Sequence, residues 1–338
     1  MKKEKIPLNF ALIGAAGYIA PRHMKAIKDT GNNLISALDP YDGVGIIDSY
    51  FPNADFFIEP ERFDRHMDKL RRESLSKTEH NKKVDFVSIC SPNYMHDSHI
   101  RLALRNDAHA ICEKPVVLNP WNIDALNVIQ NETNRKVFTI FQVRLHPAII
   151  ALKERVSKGA ENKRYNLDLT YITSRGKWYY RSWKGDLEKA GGIATNIGVH
   201  FFDLLTWVFG EPKLNRVHLL ESDKAGGFLE LEKADIRWFL SLDYNDIPDV
   251  VKKQGKRTYR SLSVEGEEIE FSDGFTDLHT ESYKQIIDGK GFGLMEAKPS
   301  ITIVHEIRNS KAIGLTGDYH PFLKNSNYSS SVKLNKNI

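Results

Sequence analysis

The sequence has few cysteines, no long apolar run and no excess of one charge. Its 338 residues include only two cysteines, Cys90 and Cys112. Both fall in segments predicted as buried strands, so we expect reduced core thiols and not a disulfide framework. No apolar stretch approaches the roughly 20 residues that are needed to cross a bilayer. The basic residues 1–7 lead into a strand without the apolar core of a signal peptide, so we expect a cytoplasmic protein.

The charges are nearly balanced. The formal net charge is +4, and the charged residues, 27% of the chain, are mixed along it. This distribution gives no reason to expect nucleic-acid binding. A hydrophobic fraction of 41% is ordinary for a globular protein. The length is sufficient for two domains with cores of their own.

The first part of the chain alternates strands and helices. The predicted strands span 8–13, 33–38, 84–90 and 138–143, and the predicted helices span 22–30, 63–72, 95–105 and a segment starting at Asn119-Pro120. Residues 73–83 are polar and predict a loop. Strands that are apolar on both faces and alternate with helices indicate a doubly wound parallel sheet, that is, an α/β Rossmann fold.

The pattern changes near residue 147. Apolar and polar residues then alternate over 165–174, 237–244 and 261–271, with helices expected at 197–209, 283–288 and 301–310. Such alternation is typical of an antiparallel sheet with one exposed face. We therefore predict a Rossmann domain over 1–146 and an α+β domain with a largely antiparallel open sheet over 147–324. The second domain would bind substrate and form oligomers, and residues 325–338 would be a flexible tail.

The turn after the first predicted strand has the composition of a dinucleotide-binding loop. Residues 14–20 read GAAGYIA, close to the G-x-G-x-x-G/A fingerprint, with Ala16 at the second glycine position unless the register is shifted by one. Small residues let the backbone approach a pyrophosphate. Asp39 ends the second strand, where a carboxylate can bind the ribose hydroxyls and repel a 2′-phosphate. We therefore expect NAD and not NADP, with Asp42 as the rival carboxylate; the alternative is a plain strand–helix junction.

Two polar segments follow buried strands at the same predicted edge. Ser91-Pro92-Asn93 ends one strand, and Glu113-Lys114-Pro115 follows the apolar run 108–112. Ligands of open parallel sheets bind at the carboxyl ends of the strands. A charged pair there has no packing purpose, so Lys114 is a candidate to touch a reacting group. His96 also faces this crevice, and Asn93 is equally suited to capping the next helix.

A glycine-rich segment in the second half carries a candidate acid–base group. Residues 191–203 begin with two glycines and continue into a predicted helix. Asn196 and His200 are four residues apart and share a helix face, and Asp203 can hold the His200 ring in one tautomer. Histidine is the commonest general acid or base near neutral pH. The alternative is a core histidine with a structural role only.

The histidines and cysteines lack the spacing of a metal site. His96 and His99 are three residues apart, but Cys90 and Cys112 belong to strand interiors. The sequence contains neither a CxxC nor an HExxH motif. We therefore expect no bound metal.

The three motifs together resemble the Gfo/Idh/MocA oxidoreductase family. Its members carry a dinucleotide turn at the N-terminus, an E-K-P motif after the fifth strand and a G-x-H-x-x-D motif in the second domain. Here these are residues 14–20, 113–115 and 198–203, so the resemblance covers nearly the whole chain. Many members have Asp where this chain has Asn196. Asn cannot act as a base, so His200 with Lys114 would move the proton.

Longer stretches are similar to one branch of that family, the UDP-N-acetyl-2-amino-2-deoxyglucuronate dehydrogenases. These stretches are 10–23, 63–66, 88–94, 144–147 and 183–186, the last leading into 195–200. The resemblance implies NAD-dependent oxidation of the 3-hydroxyl of UDP-N-acetyl-D-glucosaminuronate in bacterial surface polysaccharide biosynthesis. In some relatives 2-oxoglutarate reoxidises the bound cofactor.

The predicted site draws on all of these segments. Lys114 would hold and polarise the hydroxyl, and His200 would accept its proton. The predicted substrate contacts are Arg144 (as the main anion contact), His146, Tyr171, Tyr179, Asn196 and Asp203. The predicted cofactor contacts are Gly14, Ala16, Gly17, Tyr18, Ile19, Asp39, Ser91, Pro92, Asn93, His96, Glu113, Lys114, Gln142 and Trp183. Further cations that can line the cleft are Arg175, Lys177, Arg181 and Lys184.

Two other functions are compatible with the sequence. One is NAD-dependent dehydrogenation of another sugar or an inositol, which a test of UDP-dependent binding would separate. The other is a nonenzymatic NAD-binding sensor, against which the intact Lys114 and His200 argue. The alternating strands of the second domain can build a flat sheet face, which predicts a homodimer or homotetramer.

Overall fold

The computed structural model describes residues 6–75, 83–269 and 277–325, which form two six-stranded sheets. The first sheet is parallel throughout and has the strand order β3-β2-β1-β4-β5-β6. Its strands are β1 Asn9–Ile13, β2 Asn33–Leu38, β3 Asp55–Phe57, β4 Phe86–Ile89, β5 His109–Cys112 and β6 Val137–Thr139. The winding reverses between β1 and β4, so the loops after these strands diverge and leave a crevice between them.

Helices cover both faces of this sheet. Phe10 and Leu12 of β1 pack with α1 and α2 on one face, whereas Ala11 and Ile13 pack with α3, α4 and α5 on the other. These helices are α1 Ala20–Asp29, α2 Val44–Tyr50, α3 Pro60–Leu75, α4 His96–Arg105 and α5 Pro120–Thr133. The predicted doubly wound parallel sheet is therefore confirmed.

The second sheet is mixed and has the strand order β12-β11-β7-β10-β9-β8. Its strands are β7 Tyr165–Thr173, β8 Pro212–Leu220, β9 Lys224–Leu231, β10 Ala234–Ser241, β11 Thr258–Val264 and β12 Glu267–Glu268. The pairing of β7 with β10 is parallel and the other pairings are antiparallel, which confirms a largely antiparallel sheet. The accompanying helices are α6 Pro147–Ser157, α7 Trp178–Arg181, α8 Leu187–Ala190, α9 Val199–Phe209, α10 Asp249–Lys253, α11 Leu278–Ile287, α12 Leu294–Asn309 and α13 Phe322–Asn325.

One apolar core runs through both halves. It joins Val87 and Cys112 of the first sheet to Phe202 of α9 and Trp238 of β10. The most apolar helical stretch, Leu187–Phe209, is long enough to cross a membrane, but 78% of its most apolar window is buried inside this fold. Its apolar character is thus explained by its position in the core.

Helix α11 returns from the second half to the first sheet. Tyr283 is fully buried, and its ring centroid lies 5.8 Å from that of Phe10 in β1. The helix therefore follows the second predicted domain in sequence but packs in the core of the first. The domain limits 1–146 and 147–324 stay a prediction, and the predicted tail lies outside the described residues from 326 onward.

Some elements differ from the sequence pattern. The strand predicted at 138–143 ends at Thr139, because the Phe141 N–H turns back to the Thr139 carbonyl at 3.0 Å and a 3₁₀ helix, Gln142–Leu145, follows. The pattern does not reveal β3, β8, β9 or α2, since β3 has three residues and β9 contains two adjacent glycines. The predicted loop 73–83 begins inside α3; residues 76–82, and the end of the strand predicted at 261–271, lie outside the described residues.

Candidate active site

A cavity of about 1130 Å³ opens at the carboxyl edge of the parallel sheet. Its wall is formed by the loops after β1, β2, β4 and β5 on one side and by α7, α9, β7 and β11 on the other. Cavities that bind one small ligand usually measure roughly 300–1,000 Å³. The volume is therefore at the upper end of what one small ligand occupies, and it leaves room for a long ligand or for a ligand together with part of a second one.

The glycine-rich turn forms one wall of the cavity. Gly14 has φ +85°, and a Cβ on it would lie 2.6 Å from the Cys90 carbonyl carbon, so only glycine fits. Ala16 fits at the second glycine position because its methyl group points toward Gly43, which has no side chain. A Cβ on Gly43 would lie 2.5 Å from the Ala16 Cβ. Gly14, Ala16, Gly17, Tyr18 and Ile19 all line the cavity.

A buried carboxylate lies next to this turn. Asp39 Oδ2 accepts from the Ala16 N–H at 2.9 Å, and Oδ1 accepts from the Tyr41 N–H at 2.9 Å. Asp39 lines the cavity. Asp42 instead accepts from the Val44 N–H at 3.3 Å at the start of α2 and stays outside the cavity lining. Of the two rival carboxylates, Asp39 is therefore the one that reaches the cavity.

Two side chains that follow β4 form hydrogen bonds that fix this part of the chain. Asn93 Nδ2 donates to the Ala190 carbonyl at 3.0 Å, so it contacts α8 and does not cap a helix. His96 has Nδ1 2.6 Å from the Pro115 carbonyl oxygen and Nε2 2.8 Å from that of Ser91. The four predicted residues of this loop line the cavity: Ser91, Pro92, Asn93 and His96.

Lys114 enters the cavity from the loop after β5. Its Nζ donates to the Asn196 carbonyl at 3.1 Å. Asn196 lies in a π-helical turn, Ala194–Gly198, a geometry that is frequent at functional sites. The Asn196 Nδ2 donates to the Tyr179 hydroxyl at 2.6 Å. Asn196 thus links Lys114 to Tyr179, and all three line the cavity.

His200 lines the same cavity at the start of α9. Its Nδ1 is buried and has no hydrogen-bond partner among the described residues. The prediction that Asp203 holds this ring is wrong, because Arg144 binds both carboxylate oxygens of Asp203. Burial, and then Lys114, hold the pKa of His200 well below its usual value. The ring is therefore neutral near pH 7, so one of its two nitrogens carries a free lone pair.

Arg144 is a buried structural residue and not the predicted anion contact. The Arg144 and Asp203 side chains are 2% and 1% exposed, and Nε donates to Oδ2 at 2.8 Å while Nη2 donates to Oδ1 at 2.6 Å. Nη2 also donates to the Glu296 carbonyl at 3.1 Å, and the guanidinium carbon lies 4.7 Å from the Phe292 ring centroid. Neither Arg144 nor Asp203 lines the cavity, so both predicted substrate contacts are wrong.

His146 caps a helix instead of contacting substrate. Because Pro147 begins α6, His146 takes the N-cap position and its Nδ1 accepts from the Ala148 N–H at 3.2 Å. It is buried and outside the cavity lining, which corrects its predicted role. Four other predicted contacts do line the cavity: Gln142, Tyr171, Tyr179 and Trp183.

The cavity is strongly cationic. Within the described residues its wall has two acidic side chains, Asp39 and Glu113, and seven basic ones: Arg22, Lys114, Arg175, Arg181, Lys184, Lys189 and Arg260. Sequence reasoning missed Arg22, Lys189 and Arg260, and it included Lys177, which lies outside the lining. Arg22 could have been found from its place in the first turn after the glycine loop. The surplus of positive charge indicates an anionic ligand.

The four residues considered for zinc do not converge. Cys90 and Cys112 carry free thiols, and burial raises the pKa of each well above its usual value. Among the described residues, three potential ligand atoms come within 4.8 Å of one another only in a different group: His23, Glu113 and His279.

Two family descriptions match the chain. Residues 8–141 match the "Oxidoreductase family, NAD-binding Rossmann fold", and residues 161–244 match the "Oxidoreductase family, C-terminal alpha/beta domain", the two parts of the Gfo/Idh/MocA oxidoreductases. The first match covers the glycine turn and Lys114, and the second covers Asn196 and His200. Most of both cavity walls thus falls within matched segments; the lining residues Gln142, Val143 and Arg260 lie outside them.

Solved structures and characterised relatives are similar as well. Two structures of the WlbA (WbpB) dehydrogenase from Thermus thermophilus, one with NAD and alpha-ketoglutarate and one with NAD and UDP-GlcNAcA, have a TM-score of 0.88 and 48% identity. They cover 93% of this chain and 99% of that one. The D-glucoside 3-dehydrogenase of Escherichia coli K12 is 26% identical over 220 residues, 65% of this chain. The chain spans 59% of that relative's length.

Proposed function

We propose that this chain, which belongs to the Gfo/Idh/MocA family of NAD-binding oxidoreductases, oxidises the 3-hydroxyl of UDP-N-acetyl-D-glucosaminuronate (UDP-GlcNAcA) to a 3-keto group. The observation that carries the proposal is one cavity that holds Lys114 and His200 between a dinucleotide turn and a cationic wall. UDP-GlcNAcA carries a diphosphate and a carboxylate, and arginine and lysine suit such groups. The WlbA dehydrogenase at 48% identity, solved with UDP-GlcNAcA, supports this choice of substrate.

The residues of the first wall fit NAD. Gly14 and Gly17 let a pyrophosphate approach the backbone near the N-terminus of α1, and Asp39 lies where the ribose hydroxyls would bind. A carboxylate at that position repels a 2′-phosphate. When bound, NAD⁺ supplies the acceptor for the hydride that leaves the sugar carbon.

The chain's own residues then move the proton and stabilise charge. His200, neutral near pH 7, accepts the proton of the 3-hydroxyl directly or through Lys114. The Lys114 ammonium donates to the same oxygen and stabilises the negative charge that develops on it. The Asn196 carbonyl holds Nζ in place at 3.1 Å, and Tyr179 holds the Asn196 side chain.

The proposed reaction belongs to bacterial surface polysaccharide and lipopolysaccharide biosynthesis, on the route to diacetamido-mannuronic acids, where an aminotransferase uses the 3-keto product. We further propose that 2-oxoglutarate reoxidises NADH, which the WlbA complex with NAD and alpha-ketoglutarate supports. The free thiols of Cys90 and Cys112 support a cytoplasmic location. The open second sheet supports assembly as a homo-oligomer, a dimer or a tetramer.

The test is incubation of the purified protein with UDP-GlcNAcA, NAD⁺ and 2-oxoglutarate, with mass spectrometry of the nucleotide sugar. We expect the 3-keto product, and we expect Lys114→Ala and His200→Ala each to lower kcat by about 100-fold or more. Lys177→Ala, a lysine outside the cavity, is the matched control.

Other outcomes point to other functions. Oxidation of myo-inositol or a D-glucoside in place of UDP-GlcNAcA would assign the chain to another sugar dehydrogenase. Tight NADH binding without turnover of any of these compounds would favour a sensor. Near-normal turnover in both cavity variants would refute the roles given to Lys114 and His200.

A further inference from the structure

A buried network of hydrogen bonds includes Glu113. Glu113 Oε1 lies 2.9 Å from His23 Nε2 and 3.2 Å from His279 Nε2. His23 Nδ1 lies 2.8 Å from the Tyr283 hydroxyl oxygen, which lies 2.6 Å from Ser88 Oγ. All five side chains are buried, and they come from α1, β4, the loop after β5 and α11. None of them has a part in the mechanism described above.

Burial lowers the pKa of His23 and so favours its neutral form, and with a neutral His23 the donors and acceptors of this network have one consistent arrangement. A carboxylate only accepts, so both histidines donate from Nε2 to Glu113. His23 Nδ1 then accepts from Tyr283, and Tyr283 accepts from Ser88. Burial favours the neutral acid, but the hydrogen bonds from His23 and His279 hold the pKa of Glu113 well below its usual value. The structure therefore contains a buried, ionised carboxylate with two fixed donors.

This carboxylate is attached to the backbone of Lys114. Glu113 Oε2 accepts from the Lys114 N–H at 3.2 Å, so the group is fixed beside the residue that carries the ammonium. Burial lowers the pKa of Lys114, and Arg175 adds to this effect, whereas the negative charge of Glu113 opposes it. The ionised form of Glu113 thus favours the charged form of Lys114.

We propose that His23 and His279 are positioning residues that keep Glu113 charged and fixed, and that Glu113 in turn keeps Lys114 an ammonium group. Neither histidine lines the cavity, so both act through Glu113, which does. The inference rests on the proposed function of Lys114 as the group that stabilises charge on the reacting oxygen.

Other charged and titratable groups face Glu113 or Lys114. Besides the hydrogen-bonded residues they are Cys90, His96, Cys112, Arg175, Lys184 and His200. The thiols are held neutral by burial, and Arg175 and Lys184 are cations. Glu113 is therefore the one anion among these groups. Without its negative charge, Lys114 would face the cations Arg175 and Lys184 alone.

A bound cation is the rival explanation of the cluster. The ligand atoms of His23, Glu113 and His279 lie within 4.8 Å of one another. With a proton on each Nε2, however, the two rings offer no lone pair to a metal on the side of Glu113. The distances of 2.9 and 3.2 Å between these atoms suit hydrogen bonds, and the metal content of the purified protein decides between the two explanations.

The test measures Lys114 directly and needs no substrate. Lysines of the purified protein are acetylated competitively with acetic anhydride over a pH series, and mass spectrometry of the Lys114 peptide gives its apparent pKa. Glu113→Gln should lower that pKa by about one unit or more, a tenfold change in proton affinity. His279→Leu should also lower the Lys114 pKa. A buried Glu113 that loses a hydrogen-bond donor takes up a proton more readily, and the neutral acid no longer stabilises the ammonium group.

The conservative and control variants separate positioning from general damage. His279→Gln keeps an N–H donor and should stay close to the wild-type Lys114 pKa. His320→Gln changes a buried histidine of the second half that bonds Thr170 outside the cavity, and it should leave the Lys114 pKa unchanged. NADH binding, followed by fluorescence, should persist in the three histidine variants, none of which changes a residue of the cavity lining.

The results are decisive in either direction. An unchanged Lys114 pKa in Glu113→Gln overturns the inference, and so does stoichiometric zinc or another divalent metal in the purified protein. If the Lys114 pKa shifts as expected but UDP-GlcNAcA is not oxidised, the cluster stands and the proposed function fails. If oxidation occurs, the limb of its pH profile that Lys114 controls should move to lower pH in Glu113→Gln.

Discussion

Replacing Arg144 separates its observed role from the anion contact that the sequence predicts. Arg144→Ala leaves the Asp203 carboxylate, 1% exposed, without its bidentate partner. Removing one member of a buried ion pair destabilises a protein by about 3–5 kcal/mol. At roughly 2 °C per kcal/mol for a chain of this size, the melting temperature should fall by about 6–10 °C.

The assay combines calorimetry with kinetics at a temperature where the variant stays folded. The KM for UDP-GlcNAcA should stay within about twofold of wild type, because Arg144 lies outside the cavity. Arg181→Ala, which removes an exposed cation of the cavity wall, is the control and should raise KM without lowering the melting temperature.

A second variant tests the origin of the destabilisation. Arg144→Met combined with Asp203→Leu removes both charges and should recover at least about half of the loss, since apolar replacement of a buried pair is often neutral. The reasoning is refuted if Arg144→Ala raises KM by about tenfold while the melting temperature stays unchanged.

Three further predictions concern the cavity. Asp39→Ser should raise kcat/KM for NADP⁺ relative to NAD⁺ by about tenfold or more, because it removes a negative charge that repels the 2′-phosphate. Asp42→Ser is the control and should leave this ratio unchanged. Since burial holds the pKa of His200 well below 6.5, kcat/KM should persist as pH falls through 6.5, and an acid limb above 6.5 would contradict this. Gly14→Ala should abolish tight NADH binding in fluorescence titrations, whereas Gly45→Ala, with nothing within 4 Å, should preserve it.

Local patterns in the sequence were sufficient for the parts of the site that depend on neighbours in the chain. A glycine turn after an apolar strand predicts the wall formed by residues 14 and 16–19, and a charged pair after a buried strand predicts Lys114. The helical spacing of Asn196 and His200 places both at the cavity. Each of these signals is contained within a few residues, so no knowledge of distant contacts is required.

The features that sequence reasoning missed depend on residues far apart in the chain. Arg260 reaches the cavity because β11 pairs it with Tyr171 of β7, and alternation predicts a strand but not its register. Glu113 meets His23 and His279 across 90 and 166 residues. No local sequence pattern predicts such contacts.

Arg144 shows the limit of reasoning from residue type. An arginine after the last strand of a parallel sheet suggests an anion contact. Here, however, the chain turns at Thr139, and the following 3₁₀ helix, Gln142–Leu145, carries Arg144 into the core against Asp203 and Glu296. The error in the strand prediction and the error in the site prediction therefore have one cause.

Helix α11 also affects how the nascent protein matures. The ribosome delivers the glycine turn and Lys114 long before α11, which supplies Tyr283 to Phe10 and His279 to Glu113. A chain arrested before residue 278 therefore exposes apolar surface of its first sheet, and exposed surface of this kind attracts chaperones. We expect ribosome-bound chains stalled there to be cleaved by protease faster than chains stalled after α11 has emerged.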